Sequence, residues 1–219
     1  MEPPKPDAVI FDLDGVLADS EALHLKAWQV CLQSRGVEAA DLSLDPWVGV
    51  ADTEIVLEVI ARFGLSVQAP VLLEEKRQTF GELVRRQIKP FPGLEAGLRA
   101  LAKRLPLAVA TSSHRREARI MLSTLGILDP FQVIVAGDEV ERRKPAPDGY
   151  LLAATRLGMD PGVCLAVEDS PGGIRAARSA GMAVFAVGTS FSDDRLAEAD
   201  RVFASPAEAI RAIETLTAT

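Results

Sequence analysis

Short, continuously apolar runs recur along the chain. Ala8-Val9-Ile10-Phe11, Leu107-Ala108-Val109-Ala110, Val133-Ile134-Val135-Ala136, residues 163–167 and residues 183–187 each read as a strand. None alternates polar with apolar positions, which is the pattern of strands buried on both faces of a parallel sheet. Between them, residues 95–104, 116–125, 149–157 and 174–180 carry apolar side chains at spacings of three and four, as amphipathic helices do. Strand alternating with helix predicts an α/β fold with a doubly wound, Rossmann-like parallel-sheet core.

Residues 21–89 break this alternation. The pattern there is helical and offers no convincing strand. Ala22-Leu23, Leu25, Ala27-Trp28 and Cys31-Leu32 fit one amphipathic helix; Ile55-Val56, Val59-Ile60 and Phe63 fit a second; Leu72-Leu73, Phe80 and Leu83-Val84 fit further helix. Lys89-Pro90-Phe91-Pro92-Gly93 then stops the helix, because proline cannot continue one. The expected organisation is a core from residues 1–20 and 90–219 with an all-helical insert, 21–89, between its first and second strands. An insert beside the carboxyl end of a strand is well placed to cover a site there.

Composition narrows the function classes. The chain has 219 residues, 48% of them apolar, enough for a sizeable core. No apolar run reaches roughly 18 residues, which argues against a membrane span. Met1-Glu2-Pro3-Pro4-Lys5-Pro6 lacks the apolar stretch of a signal peptide, so the cytoplasm is the expected compartment. The net charge is −7 and no basic stripe stands out, so nucleic acid is not an expected partner. Cys31 and Cys164 form no CxxC pair; Cys164, inside an apolar run, reads as a buried thiol.

Candidate chemistry clusters at the ends of the strands. The first runs into Asp12-Leu13-Asp14-Gly15. Charged groups at such a position are costly unless paired or bound to a cation, and glycine permits a tight turn after them. The fourth strand ends in Glu168-Asp169-Ser170-Pro171-Gly172-Gly173. Singly, each pair also fits a solvated loop or a helix cap. Together, four acids converging from parallel strands would repel one another without a cation, and hard oxygen ligands suit Mg²⁺. The second strand ends in Thr111-Ser112-Ser113, either a helix cap or a phosphate cradle. Lys144 lies in the proline-stiffened Arg142-Arg143-Lys144-Pro145-Ala146-Pro147-Asp148; it is either a surface lysine or a fixed ammonium that neutralises charge during a reaction.

In this order, the four segments resemble the signature motifs of the haloacid-dehalogenase superfamily, over nearly the whole chain. Phe11-Asp12-Leu13-Asp14-Gly15-Val16 and Lys144-Pro145-Ala146-Pro147-Asp148 look like the branch containing β-phosphoglucomutase, phosphoglycolate phosphatase and small sugar phosphatases, and the insert matches that branch's cap. The resemblance implies a Mg²⁺-dependent phosphohydrolase acting on a small phosphorylated metabolite as a monomer. Asp12 would attack phosphorus. Asp14 would protonate the leaving oxygen and then activate water. Thr111, the Ser112 amide and Lys144 would hold the phosphoryl group. The Asp12 carboxylate, the Asp14 backbone carbonyl and Asp169 would ligate the metal, with Glu168 in direct contact or just behind.

The rival within the superfamily is a phosphomutase like β-phosphoglucomutase. His24 and Trp28 match positions in that enzyme's first cap helix. Against it, Gly49-Val50-Ala51 leads to Asp52 where the mutase has a cap-loop arginine, and Arg115 stands where the mutase has an asparagine. Without that arginine, Asp52 is expected to repel a second phosphate. The metal-free dehalogenase branch gives Asp14, Glu168 and Asp169 no purpose. A phospho-acceptor receiver domain is much shorter and lacks the insert. Lys76 and Arg77 read either as cleft residues holding the leaving group or as a solvated helix face.

Overall fold

The apolar runs pair as the pattern predicts. The computed structural model describes residues 5–39, 42, 50 and 52–218. Gly49 and Ala51, compared above with the mutase, and the Met1 to Pro4 stretch lie outside the described residues. Strands β1 (Ala8–Phe11), β2 (Leu107–Ala110), β3 (Val133–Val135), β4 (Cys164–Glu168), β5 (Ala183–Val187) and β6 (Arg201–Phe203) form one parallel sheet in the order β3-β2-β1-β4-β5-β6. Successive strand residues face opposite sides. Val9 and Phe11 therefore enter one core with Met121 and Ile213, while Ala8 and Ile10 enter a second with Tyr150 and Ile174. Each buried Val, Ile or Phe contributes about 1.5–3 kcal/mol.

The helices cover both faces. They are α1 (Glu21–Gln33), α2 (Asp52–Phe63), α3 (Ala69–Gln87), α4 (Leu94–Leu101), α5 (Arg115–Thr124), α6 (Asp148–Leu157), α7 (Pro171–Ser179) and α8 (Pro206–Thr217). α3 is one continuous helix of 19 residues. Helices α1 to α3 share a third core, which includes Trp28, Leu32, Val56, Val59 and Leu72. α3 also packs against α5, so the insert lies over the carboxyl end of β2.

Two elements went unread in the sequence pattern, β6 and α8. β6 is a three-residue edge strand, Arg201-Val202-Phe203, partly exposed and too short to form an apolar run. From β1 the chain winds outward through β2 and β3, then returns to lay β4 beside β1 and winds the other way. The reversal between β1 and β4 opens a crevice at their carboxyl ends, where doubly wound sheets bind ligands.

Candidate active site

Asp12 is the residue after β1, and its N–H still bonds Val167 O of β4 at 2.9 Å. The chain must then turn within a few residues. Leu13 O accepts from Leu17 N at 2.8 Å and Ala18 N at 2.9 Å, and Gly15 takes φ +74°. A Cβ at Gly15 would lie 1.9 Å from Asp169 Oδ2, so glycine is also what lets this turn approach β4. Asp12, Glu168 and Asp169 thus converge, each buried, with one carboxylate oxygen apiece inside a 4.8 Å cluster.

Lys144, from the loop before α6, supplies the cluster's cation. Its Nζ lies 2.8 Å from Asp12 Oδ1 and 2.6 Å from Glu168 Oε1. Burial would lower the Lys144 pKa, but these two carboxylates outweigh burial and hold it above its usual value. Burial pushes Asp12 up to about 7, against the pull of Lys144 and with the help of Glu168 and Asp14. Asp169 is pushed well up, first by burial and then by Glu168 and Asp12. Three carboxylates against one ammonium leave two negative charges in excess, which fits a divalent cation with hard oxygen ligands.

The three acids are not equivalent. Glu168 accepts from Lys144 Nζ and from Tyr150 Oη at 2.8 Å through Oε1. Through Oε2 it accepts from Asp169 N at 3.0 Å, Ser170 N at 3.2 Å and Ser170 Oγ at 3.1 Å. Its lone pairs are spent on positioning, and its place at the start of α7 suits a negative charge. Among the described residues, the side chain that donates to Asp169 Oδ2 is the Ser190 hydroxyl. Of the three, Asp12 and Asp169 keep the most capacity for a metal.

Asp14 turns away from this cluster, toward the insert. Its Oδ1 accepts from Ser20 Oγ at 2.5 Å and faces His24 Nε2 at 3.2 Å; its Oδ2 accepts from Ser113 Oγ at 2.6 Å. Thr111 Oγ1 lies 3.5 Å from Oδ2. Burial would raise its pKa, but His24 and the two serine hydroxyls outweigh burial and hold the group far below the usual carboxylate range. Thr111 Oγ1 also accepts from Ser113 N at 3.0 Å, which fixes the loop entering α5. The Thr111–Ser113 segment therefore ends at a helix N-terminus, capped by the His114 side chain, where an oxyanion is favoured.

His24 joins core to insert. Its ring stacks on Phe80, with centroids 3.9 Å apart. Lys76 Nζ lies 2.7 Å from His24 Nδ1. An ammonium only donates, so Nδ1 accepts and the ring proton sits on Nε2, toward Asp14.

One surface wall of the cleft is corrected by this arrangement. Lys76 is fully buried and does not line the cleft. It neither reaches a ligand nor sits on a solvated face: it is ion-paired to Asp52, lies 3.7 Å from Glu117 and donates to His24. Asp52 lines the cleft, but its charge is engaged by Lys76, which mutes the repulsion expected from it. Arg115 is likewise absent from the cleft lining; it pairs with Glu139 at 2.5 Å and donates to Ile134 O at 3.1 Å. Arg77, His24, Ser112, Thr111 and Lys144 do line the cleft.

Other contributors went unread in the sequence. Ser20 and Ser113 hold Asp14, Tyr150 holds Glu168, and Ser190 holds Asp169. Ser113 sits inside a motif segment and Tyr150 in the helix that follows one, so both were within reach of the pattern. Ser190 arrives from the loop after β5, where nothing local marks it.

The haloacid dehalogenase-like hydrolase family matches residues 9–187. The fructose-1-phosphate phosphatase YqaB of Escherichia coli (strain K12) is 33% identical over 174 residues, covering 80% of this chain and 92% of its own. The β-phosphoglucomutase of Bacillus subtilis (strain 168) is 33% identical over 189 residues, covering 83% and 82%. The crystal structure of CbbY from Rhodobacter sphaeroides in complex with phosphate superposes with a TM-score of 0.81 at 31% identity, over 93% of this chain and 96% of that one. With its motif residues converged in one cleft and this match over most of its length, the chain belongs to the haloacid dehalogenase-like hydrolase family.

Proposed function

We propose that this phosphatase hydrolyses a small sugar phosphate or similar monoester through an aspartyl phosphate on Asp12. The observation that carries the reading is the opposed pair of carboxylates. Asp12 faces Lys144 and the acidic cluster, while Asp14 faces the hydroxyls and His24 on the insert side. One is placed to meet phosphorus and the other to meet the ester oxygen. Residues 21–89 are read as a cap on a core of residues 1–20 and 90–219.

Mg²⁺ would be held by the Asp12 and Asp169 carboxylates and the Asp14 backbone carbonyl, with Glu168 behind them. When bound it would lower the Asp12 pKa and offset negative charge on the phosphoryl oxygens. An Asp12 carboxylate oxygen forms the bond to phosphorus as the ester P–O bond breaks. Asp14, a carboxylate before the ester binds, takes up the proton that the ester's monoanion carries and passes it to the departing oxygen; His24 Nε2 and the serine hydroxyls hold Asp14 in position. Asp14, then a carboxylate, takes a proton from the water that attacks phosphorus, and inorganic phosphate leaves as Asp12 is restored. Thr111, the Ser112 amide and Lys144 hold the phosphoryl oxygens through both steps. The reading places the protein in the cytoplasm. Among the described residues, no helix is long and apolar enough to cross a membrane.

Phosphate release from a panel of sugar phosphates tests the reading. Steady release without a bisphosphate activator is expected. Asp12→Asn should lower turnover by roughly a thousandfold or more, the order seen when a nucleophile is lost. Rapid conversion of β-glucose 1-phosphate to glucose 6-phosphate, primed by the 1,6-bisphosphate and with little free phosphate, would establish a mutase instead.

A further inference from the structure

Two arginines line the cleft, and the roles assigned above use neither to hold the phosphoryl group. Arg143 precedes Lys144 and comes from the core; Arg77 comes from α3 of the insert. Arg143 spends Nε on Gly137 O at 3.0 Å and Nη1 on the Thr53 hydroxyl. Both acceptors are uncharged, and the rest of its planar fork is uncommitted by these bonds. The guanidinium is nonetheless fixed in place. A Cβ at Gly137 would lie 2.2 Å from Ser112 O, so glycine is what lets this segment pack against the Thr111–Ser113 loop, with Arg143 Nε bonded to its carbonyl close behind.

Arg77 lines the same cleft as the corner where Arg143 meets Thr53. Its charge acts on Asp52, the neighbour of Thr53, and its Nε is buried with no hydrogen-bond partner among the described residues. The corner is also the start of α2, a 12-residue helix whose N-terminal dipole favours an anion. The acids close by are already engaged: Asp52 and Glu117 both face the buried Lys76. A cleft wall with two arginines, an engaged aspartate and a helix N-terminus favours a negative group on the ligand.

We infer that Arg143 and Arg77 form a second oxyanion subsite, and that the preferred ester carries a second phosphate or a carboxylate on its leaving group. This rests on reading the cleft as a phosphate-ester site. The second anion sits on the part of the ligand that departs, so it is compatible with hydrolysis. A guanidinium fork matches either oxyanion through paired N–H donors.

Calorimetric binding to the Asp12→Asn protein in Mg²⁺ buffer tests this without turnover. Fructose 1,6-bisphosphate is compared with fructose 1-phosphate, and 3-phosphoglycerate with glycerol 3-phosphate. The doubly anionic member of at least one pair should bind about 10- to 100-fold more tightly, the range for hydrogen bonds to charged groups. Which pair shows the preference tells phosphate from carboxylate. Adding Arg143→Gln should remove most of that preference, and Arg143→Lys should restore part of it. Thr53→Ala breaks the arginine's tie to the insert but keeps its charge, so the preference should survive. Equal affinities within both pairs, or equal losses for both members in Arg143→Gln, would overturn the subsite and leave Arg143 a strut between core and insert. Failure of every ester to bind would overturn the phosphate-ester reading as well.

Discussion

Replacing Lys76 with methionine removes a buried charge while keeping the bulk of its stem. In the wild type, burial raises the Asp52 pKa, but the Lys76 ammonium and His24 outweigh it and hold the group below its usual value. Glu117 Oε1 is also buried, has no hydrogen-bond partner among the described residues, and has Lys76 Nζ at 3.7 Å. The substitution leaves both carboxylates facing a methyl group. Removing one partner of a buried ion pair costs about 3–5 kcal/mol. At about 2–4 °C per kcal/mol for a chain of this size, the melting temperature should fall by about 6–20 °C. Urea unfolding at pH 7, followed by tryptophan fluorescence, gives the loss directly, since Trp28 is buried in the same core as Leu72. The loss should shrink toward pH 4, where the orphaned carboxylates can take up protons. The half-exposed Arg35–Glu75 pair is the control: Glu75→Gln should change stability by no more than about 0.5 kcal/mol. A loss below about 1 kcal/mol in Lys76→Met would show that the buried network carries no net stability.

Chelation should abolish phosphate release and Mg²⁺ should restore it; Mg²⁺ alone should raise the melting temperature, because the ion binds the folded acidic cluster. Unchanged melting with and without Mg²⁺ would count against the cluster as its site. Gly173→Ala would put a Cβ 1.8–2.1 Å from the Glu168 carboxyl atoms; a loss of about 1–3 kcal/mol is expected from overpacking, measured by urea unfolding, together with weaker Mg²⁺ binding. For Glu139, burial raises the pKa, but Arg115, the Ala136 N–H and Arg156 outweigh it and bring it to about 2. The folded value lies below the ordinary one of 4.5, so its stabilisation is full above that pH and is lost as pH falls toward 2. Screened by water, this is worth about 1 kcal/mol; Glu139→Gln should lose that at pH 7 and nothing near pH 2, in urea titrations at the two pH values.

Five of the six strands were legible because a parallel sheet buries both faces, and unbroken apolar runs such as Ala8-Val9-Ile10-Phe11 mark that burial in the chain itself. β6 was not, since its two apolar residues, Val202 and Phe203, are too short a run to mark a strand. α8 did carry a signal, a Ser205 cap, proline in its first turn and apolar Ala209, Ile210 and Ile213, that went unread. The nucleophile segment and the Glu168-Asp169 pair were legible because their chemistry sits within a few consecutive residues. Lys76 was not. Its sequence neighbours Glu74, Glu75 and Arg77 are charged, like those of a solvated face, while its true partners, His24, Asp52 and Glu117, come from three distant segments. Arg143 was hidden for a similar reason: its contacts, Gly137 and Thr53, belong to different parts of the chain.

The place of β1 in the sheet has a consequence for how the molecule is made. β1 is synthesised before both of its neighbours, yet it ends between β2 and β4, with Ala8 paired to Cys164. While the ribosome extends the chain, its apolar residues wait for partners that do not yet exist. Helices α1 to α3 emerge next and have a core of their own to bury, so they can become ordered early. β1 cannot. Long-range parallel pairing of this kind is slow, and an unpaired apolar strand is prone to aggregate. The risk ends only when β4 arrives, and β4 carries Glu168 at its end, with Asp169 immediately after. Closure of the central strand and assembly of the acidic cluster are therefore one event in the birth of the protein. A lesion that slows β4 would reveal itself first as poor soluble yield, before any assay of the purified enzyme.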